Sequence, residues 1–256
     1  SADYTVCDCE INSTGASLVR LDISSTRILD VRGELNGNLT GAGNSQTARL
    51  RVLNSARVDV AHDMNWVRSN TGGNVDLDIL LENTGTINLT GDLNFTMSNG
   101  DDITINLDDD SDFNVTGDVT INATGGDEAR IQIDDNSTMD ITGNFTLDQD
   151  GGDDIFVYIN NNSGTTGELN IAGNAIITHN GGDDIEILID DANSVLSIGG
   201  TLDVTCVGTA DDKTIEFDLD GGTMTAGAST FSRSVDYGRI EFDLDGGDLE
   251  NIRVAS

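Results

Sequence analysis

The segment "GDVTINATGGDEARIQIDDNSTMDIT" (117–142) holds one complete period of the chain. Within it, apolar side chains stand two apart in three runs: Val119-Ile121, then Ala129-Ile131-Ile133, then Met139-Ile141. A glycine-bearing acidic turn separates the first two runs, a polar turn the next two, and Gly143 closes the period. Strict alternation with β-branched residues reads as half-buried strand, and no helical periodicity accompanies it.

Outward from this segment the triplet recurs at intervals of about 25–30 residues. The clear copies are Ile103-Ile105-Leu107, Ile155-Val157-Ile159, Ile185-Ile187-Ile189, Ile215-Phe217-Leu219 and Ile240-Phe242-Leu244. Three earlier copies are blurred but in phase: Val19-Leu21-Ile23, Ala48-Leu50-Val52 and Leu77-Ile79-Leu81. A shorter pair follows each triplet, as in Ile87-Leu89 and Leu169-Ile171, then a glycine (Gly33, Gly91, Gly117, Gly143, Gly173, Gly200), then the third run. Glycine suits a corner that needs unusual dihedrals and leaves little room for a Cβ.

Strand trios of this kind bury their apolar face only by coiling, each trio stacked about 4.8 Å above the last. The expectation is therefore an all-β, single-domain parallel β-solenoid of about nine rungs, with three short strands per rung and a length of roughly 40 Å. A sandwich of antiparallel hairpins does not explain three strand types recurring in fixed order. Residues 1–18 read as an N-terminal partial rung, 19–239 as the repeats and 240–256 as a C-terminal partial rung.

In architecture the pattern resembles secreted microbial parallel β-helix and β-solenoid proteins, such as adhesin stalks, surface fibres and polysaccharide-degrading β-helix enzymes. That resemblance implies an extracellular protein and carries no family-specific motif or function with it.

Proline is absent, aromatics are 4%, and the formal net charge is −34. The charge is uneven: residues 1–69 hold seven of the 12 bases (all Arg) against eight acids, leaving 38 of the 46 acids against five bases. Such a polyanion is a poor partner for nucleic acid, where Lys and Arg supply the affinity. It suits multivalent cations or a salty medium. No apolar stretch of about 18 residues exists, so no helical membrane span is expected. The chain opens at Ser1, as a processed secreted protein would. Cys7, Cys9 and Cys206 are too few for a disulfide framework.

The strongest chemical signal is a recurring acidic turn: "SNGDD" (98–102), "TGGDE" (124–128), "DGGDD" (150–154), "NGGDD" (180–184) and "GTADD" (208–212). Aligned, Asp101, Asp127, Asp153, Asp183 and Asp211 form one column, and Asp102, Glu128, Asp154, Asp184 and Asp212 a second. A shorter column follows the first strand, at Asp108, Asp134, Asp190, Asp220 and Asp245. Like charges one rung apart repel by about 0.9 kcal/mol per pair in water, so long ladders ask for counterions. Calcium is the candidate cofactor, because it accepts six to eight oxygen ligands in loose geometry. The alternative is a solvated acidic edge, since Asp and Asn favour turns.

Nine Asn-x-Ser/Thr triplets, including Asn88, Asn94, Asn114 and Asn144, are candidate glycan sites or products of an Asn- and Thr-rich repeat. His62 and His179 lie in no metal-ligand spacing, carboxylate pairs are too common to discriminate, and Lys213 is the one lysine, so no catalytic role is expected. Outward threonines do not share one column: Thr120 and Thr146 stack, while Thr96, Thr178 and Thr205 occupy another position along with Asn122 and Asp148, so they do not form an ice-binding array.

The two ends complete the reading. "CDCEINSTGASLVRLDI" (7–23) supplies a third strand through Cys9 and Ile11 ahead of the first full rung. The last repeat has a first strand, Ile240-Phe242-Leu244, and a second around Leu249, Ile252 and Val254, but no third. If one copy completes the other's rung, the solenoid continues from subunit to subunit as a heterologous, head-to-tail homopolymer. Arg-bearing early rungs would then meet carboxylate-bearing late rungs. The expected function is thus a non-enzymatic subunit of an extracellular filament. The alternatives are the stalk of a cell-surface adhesin, or a glycan-binding or glycan-degrading β-helix.

Overall fold

Alternation dictates the architecture: between the two end rungs each strand buries every second side chain, mostly apolar, and leaves most of the intervening ones half-exposed. The computed structural model describes residues 3–13, 18–39, 46–69, 75–98, 102–125, 128–159, 166–207, 213–233 and 238–250. No helix occurs among them. The first strands, from Leu18–Ile23 to Gly238–Asp243, form a 9-stranded sheet in which each pairs in parallel with its copy one rung away. Second and third strands form the remaining two walls. These walls are joined into one 17-stranded sheet because Val195–Cys206 and Thr223–Arg233 run through the corner without a break. The chain is a parallel β-solenoid.

Register is that of the apolar triplets. Ile103 pairs with Ala129, Ala129 with Ile155, Ile155 with Ile185, Ile185 with Ile215 and Ile215 with Ile240. The inward side chains merge into one core that includes Trp66, which stacks in the column of Phe95 and Ile121. Gly37 lies beneath the Trp66 ring, where a Cβ would approach the indole to 2.2 Å. Its missing side chain makes space for the largest residue of the core.

Two turns use different chemistry. After the first strand, consecutive left-handed residues close the bend: Asn54-Ser55, Asn83-Thr84, Asp109-Asp110 and Asp135-Asn136. Asn and Asp tolerate that conformation best among residues with a Cβ. At the glycine corner, by contrast, none of Gly33, Gly91, Gly117, Gly143, Gly173 and Gly200 has a left-handed φ. Glycine is required there for space alone, which corrects the expectation of unusual dihedrals. A Cβ on Gly143 would lie 2.4 Å from both the Gly117 carbonyl oxygen and Asp118 Oδ1.

The residue after each corner glycine forms a ladder that ties rung to rung. Asp92 N–H donates to Asp63 Oδ1 (2.9 Å), Asp118 N–H to Asp92 Oδ1 (2.8 Å), Asn144 N–H to Asp118 Oδ1 (2.7 Å) and Asn174 N–H to Asn144 Oδ1 (3.0 Å). Outward asparagines ladder as well: Asn94 Nδ2 donates to Asn65 Oδ1 and Asn114 Nδ2 to Asn88 Oδ1, both at 3.0 Å. Asn88 Nδ2 donates in turn to Asp59 at 2.8 Å. The amide nitrogen a glycan would take is thus bonded at Asn88, Asn94 and Asn114.

The N-terminal partial rung is larger than expected. Besides Cys9–Ser13 it contains Tyr4–Val6, a second strand paired with Ile28–Val31. The expectation of a third strand alone overlooked it because three alternating residues carry little periodicity. The C-terminal partial rung has a first strand, Gly238–Asp243, and a second, Asp248–Glu250. Ile252 and Val254 lie outside the described residues.

Replacing Gly143 by Ala will destabilise the fold by about 1–3 kcal/mol, the cost of an overpacked site, since backbone rather than a flexible side chain stands in the way. Chemical denaturation of the variant against the parent measures it.

Candidate functional sites: the acidic turns and the end rungs

The acidic turns join a third strand to the next first strand. Register places Asp102 against Glu128 and Glu128 against Asp154. Asp184 stands opposite Thr214, two residues beyond Asp212. The column that sequence alignment closed with Asp212 therefore closes with a threonine. Asp101, Asp127, Asp211 and Asp212 lie outside the described residues.

Much of the oxygen in these turns is already engaged. Asp184 N–H donates to Asp154 Oδ1 at 3.1 Å and Thr214 N–H to Asp184 Oδ1 at 2.9 Å, so the carboxylates splice rungs together. Burial nonetheless pushes the Asp154 carboxyl up, because the backbone bond from Asp184 offsets only part of its desolvation. The Asp153 carbonyl accepts both Asp183 N–H (2.8 Å) and Gln149 Nε2–H (2.6 Å), which occupies its two lone pairs. The Asp183 carbonyl accepts His179 Nε2–H at 2.8 Å. The Asp153 carbonyl is thus closed to calcium. Among the described residues, oxygens left for a cation include the exposed carboxylates of Asp153 and Asp183 and the second oxygens of Asp154 and Asp184.

Gln149 and His179 are the residues that sequence reasoning undervalued. Both are buried, in the inward column that also holds Met97, Ala123 and Cys206. Each reaches four residues ahead to hold its acidic turn closed. His62 is exposed at the glycine corner.

A second acidic cluster lies at the turn after the first strand. Carboxylate oxygens of Asp108, Asp109 and Asp135 lie within 4.8 Å of one another. Burial, with Asp109 and Asp135 nearby, holds the Asp108 carboxyl above its ordinary range. Asp134 is only 6% exposed and accepts one bond, from Gln132 Nε2–H at 2.6 Å. Its desolvation, with Asp108 and Asp135 adding repulsion, pushes the carboxyl up to about 6.

On the outer wall of first strands, charge is paired along the stacking direction. Arg49 meets Asp78 through Nη2 and Nε at 2.6 and 2.9 Å, one rung on in the same column. Arg51 holds Glu82 at 2.7 Å. Further along, Phe156 and Tyr158 stack at 5.2 Å beneath the Arg130 guanidinium, and Tyr158 O–H donates to Glu186 at 3.3 Å.

The expected interface residues occupy the two extremities. At one end Cys9 is half-buried and Ile11 buried, beside Val6, Val19 and Leu21, while Tyr4 is 52% exposed. At the other, Ile240, Phe242 and Leu249 are half-buried and Leu244 is 45% exposed. Phe242 stacks on Phe217 at 4.8 Å and meets Phe231 edge-on at 5.2 Å, an aromatic cluster that the triplets did not reveal because Phe231 belongs to a third strand.

Because the folded Asp134 carboxyl titrates near 6 and the unfolded one near 3.8, the fold holds a proton between those values that the unfolded chain has lost. Stability therefore falls as pH rises through that window and stays lowered above it. Asp134→Asn will be more stable than the parent at pH 8, by up to about 3 kcal/mol, with the difference vanishing by about pH 3. Thermal melts at both pH values measure it. No protein-family model, curated protein or solved structure matches the chain.

Proposed function

We propose that this chain is a non-enzymatic structural subunit of an extracellular filament, which grows head-to-tail as copies complete a shared rung, with calcium held along its acidic turns. One observation carries the proposal: among the described residues the inward columns of the first wall end on partly exposed apolar side chains, Val19 and Leu21 on the edge strand Leu18–Ile23 and Ile240 and Phe242 on the edge strand Gly238–Asp243. Solenoids otherwise cover such edges with polar caps or helices.

The two ends fit in register. Ile240 and Phe242 occupy the columns of Val19 and Leu21, so apolar side chains would meet apolar side chains across a junction. Support for a non-enzymatic role comes from His179, whose ring is committed to the Asp183 carbonyl, and from carboxylates whose raised affinities for protons follow from burial and stacking. The extracellular setting rests on the likeness in architecture to secreted solenoids. A second reading, a surface that binds a glycan, draws on the outward Phe156 and Tyr158 beside Arg130.

Sedimentation and negative-stain microscopy of the purified chain should show fibres about one rung-stack wide, lengthening with concentration. Monodisperse monomers at high concentration, with and without calcium, would contradict the proposal. Millimolar calcium should raise the melting temperature at physiological salt, and an unchanged melt would remove calcium from it.

A further inference from the structure

A chain of formal charge −34 repels its own copies wherever carboxylates face outward. Among the described residues the third wall is nearly free of them. Seven successive third strands, from Leu35–Leu39 to the latter half of Val195–Cys206, stack in register and turn two columns outward. Both columns run mainly through asparagine and threonine, as at Asn36, Asn65, Asn94, Thr120 and Thr146, and of the fourteen outward positions two are charged, Asp148 and Asp203. The neighbouring walls differ. Over the same rungs the first wall turns out Arg51, Glu128, Asp154 and Glu186, and the second Asp59, Asp112, Asp140 and Glu168.

We propose that the third wall is the surface through which two copies of this chain pair, wall against wall, with their stacks side by side. The pairing goes beyond end-to-end addition and stands without it.

Charge selects a second copy for this wall and this wall for a second copy. Facing first or second walls would bring carboxylate columns together, whereas facing third walls brings amides and hydroxyls together. Period selects the same occupant. The wall repeats about every 4.8 Å, and a second copy carries the same repeat, so a contact made at one rung recurs in step at the others. Asparagine ladders on paired sheets interdigitate in dry contacts of this kind. The ladder also prepares the wall: Asn65 Nδ2 donates to Asn36 Oδ1 and Asn94 Nδ2 to Asn65 Oδ1, both at 3.0 Å, which orients the amides and leaves the second N–H of Asn65 and Asn94 for a facing group. Apolar contact comes from Val67 and from Ile176, which is 39% exposed.

A two-fold axis along the stack sets one outward column against the other at every height. Asp148 then faces Thr146 of the second copy and Asp203 faces its Thr205, so each acid meets a hydroxyl donor and no acid meets an acid. Burial, with Asp150 nearby, also pushes the Asp148 carboxyl up, toward its neutral form. Seven rungs of five residues cover about 550 Å² per copy by strand and rung spacing, or about 1,100 Å² for the pair, just above what a specific contact needs. The rim is acidic, with Asp92 and Asp118 at the glycine corner and Asp150 at the acidic turn. Salt screens that rim, so the pairing tightens as salt rises, whereas a junction between the Arg20-bearing and Glu241-bearing strands weakens.

Sedimentation velocity and negative-stain width measurements on the full chain test the pairing. Between about 0.1 M and about 1 M NaCl, as the Debye length falls from about 10 to about 3 Å, the dissociation constant should fall by about tenfold and any fibres should pass from single to double width. Thr120→Glu, which puts a charge at the centre of the wall, should leave single copies or single-width fibres at both salt concentrations. Thr86→Glu, the same change on the second wall, should behave as the parent, and circular dichroism checks that both variants keep the fold. Association that salt weakens, or that Thr120→Glu leaves unchanged, would overturn the pairing. Single-width fibres at both salt concentrations would overturn it while leaving head-to-tail assembly standing, and single copies throughout would overturn both. A chain that stays single yet co-sediments with an insoluble neutral polysaccharide, unless Thr120 is changed to Glu, would make the wall a glycan surface and the pairing wrong.

Discussion

Every rung is held to the next by parallel backbone hydrogen bonds in strict register, and this places each residue about 4.8 Å from its counterpart in the neighbouring rungs. A choice made once is then made many times over. Inward, repetition is favourable, because apolar columns such as Ile155, Ile185 and Ile215 bury one another. At the glycine corner the same proximity forbids a Cβ, since the next carbonyl is already in contact range. Outward, it makes neighbours of like side chains, which suits asparagine, both donor and acceptor, and penalises carboxylates.

The chain meets that penalty in two ways. Some carboxylates accept a backbone N–H from the next rung, as Asp63, Asp92, Asp118, Asp154 and Asp184 do, so a repulsive column becomes a hydrogen-bonded splice. Others lie beside arginine: Asp78 and Glu82 across rungs, Glu128 next to Arg130. Asp134 has neither device, having only an amide donor from Gln132, and its proton affinity rises accordingly. The acidity of the late rungs is thus partly structural, which narrows what remains for a cation.

Most of the wall pattern was legible because strand periodicity is local and the triplets keep phase over the whole chain. Register failed at one place: "GTADD" resembles the earlier acidic turns, but the spacing to Ile215 puts Thr214, not Asp212, against Asp184. A likeness of composition outweighed a count of residues. The corner ladder was also visible in the repeated Gly-Asp and Gly-Asn pairs at 91–92, 117–118, 143–144 and 173–174, yet a turn residue gives no sign of which carboxylate its N–H will meet. The roles of Gln149 and His179 were hidden for another reason. A polar residue in an apolar column reads as a flaw until the carbonyl it satisfies is placed.

The same register rule bears on polarity. Two late ends facing each other would bring the Glu241- and Asp243-bearing last strands together, whereas opposite ends set that acidic strand against the Arg20-bearing first one. A contact between unlike surfaces does not close on itself by a two-fold axis; when its translation lies along the stacking direction it repeats without limit. The constraint that builds one molecule, each rung templating the next, is in that arrangement the constraint that would extend it.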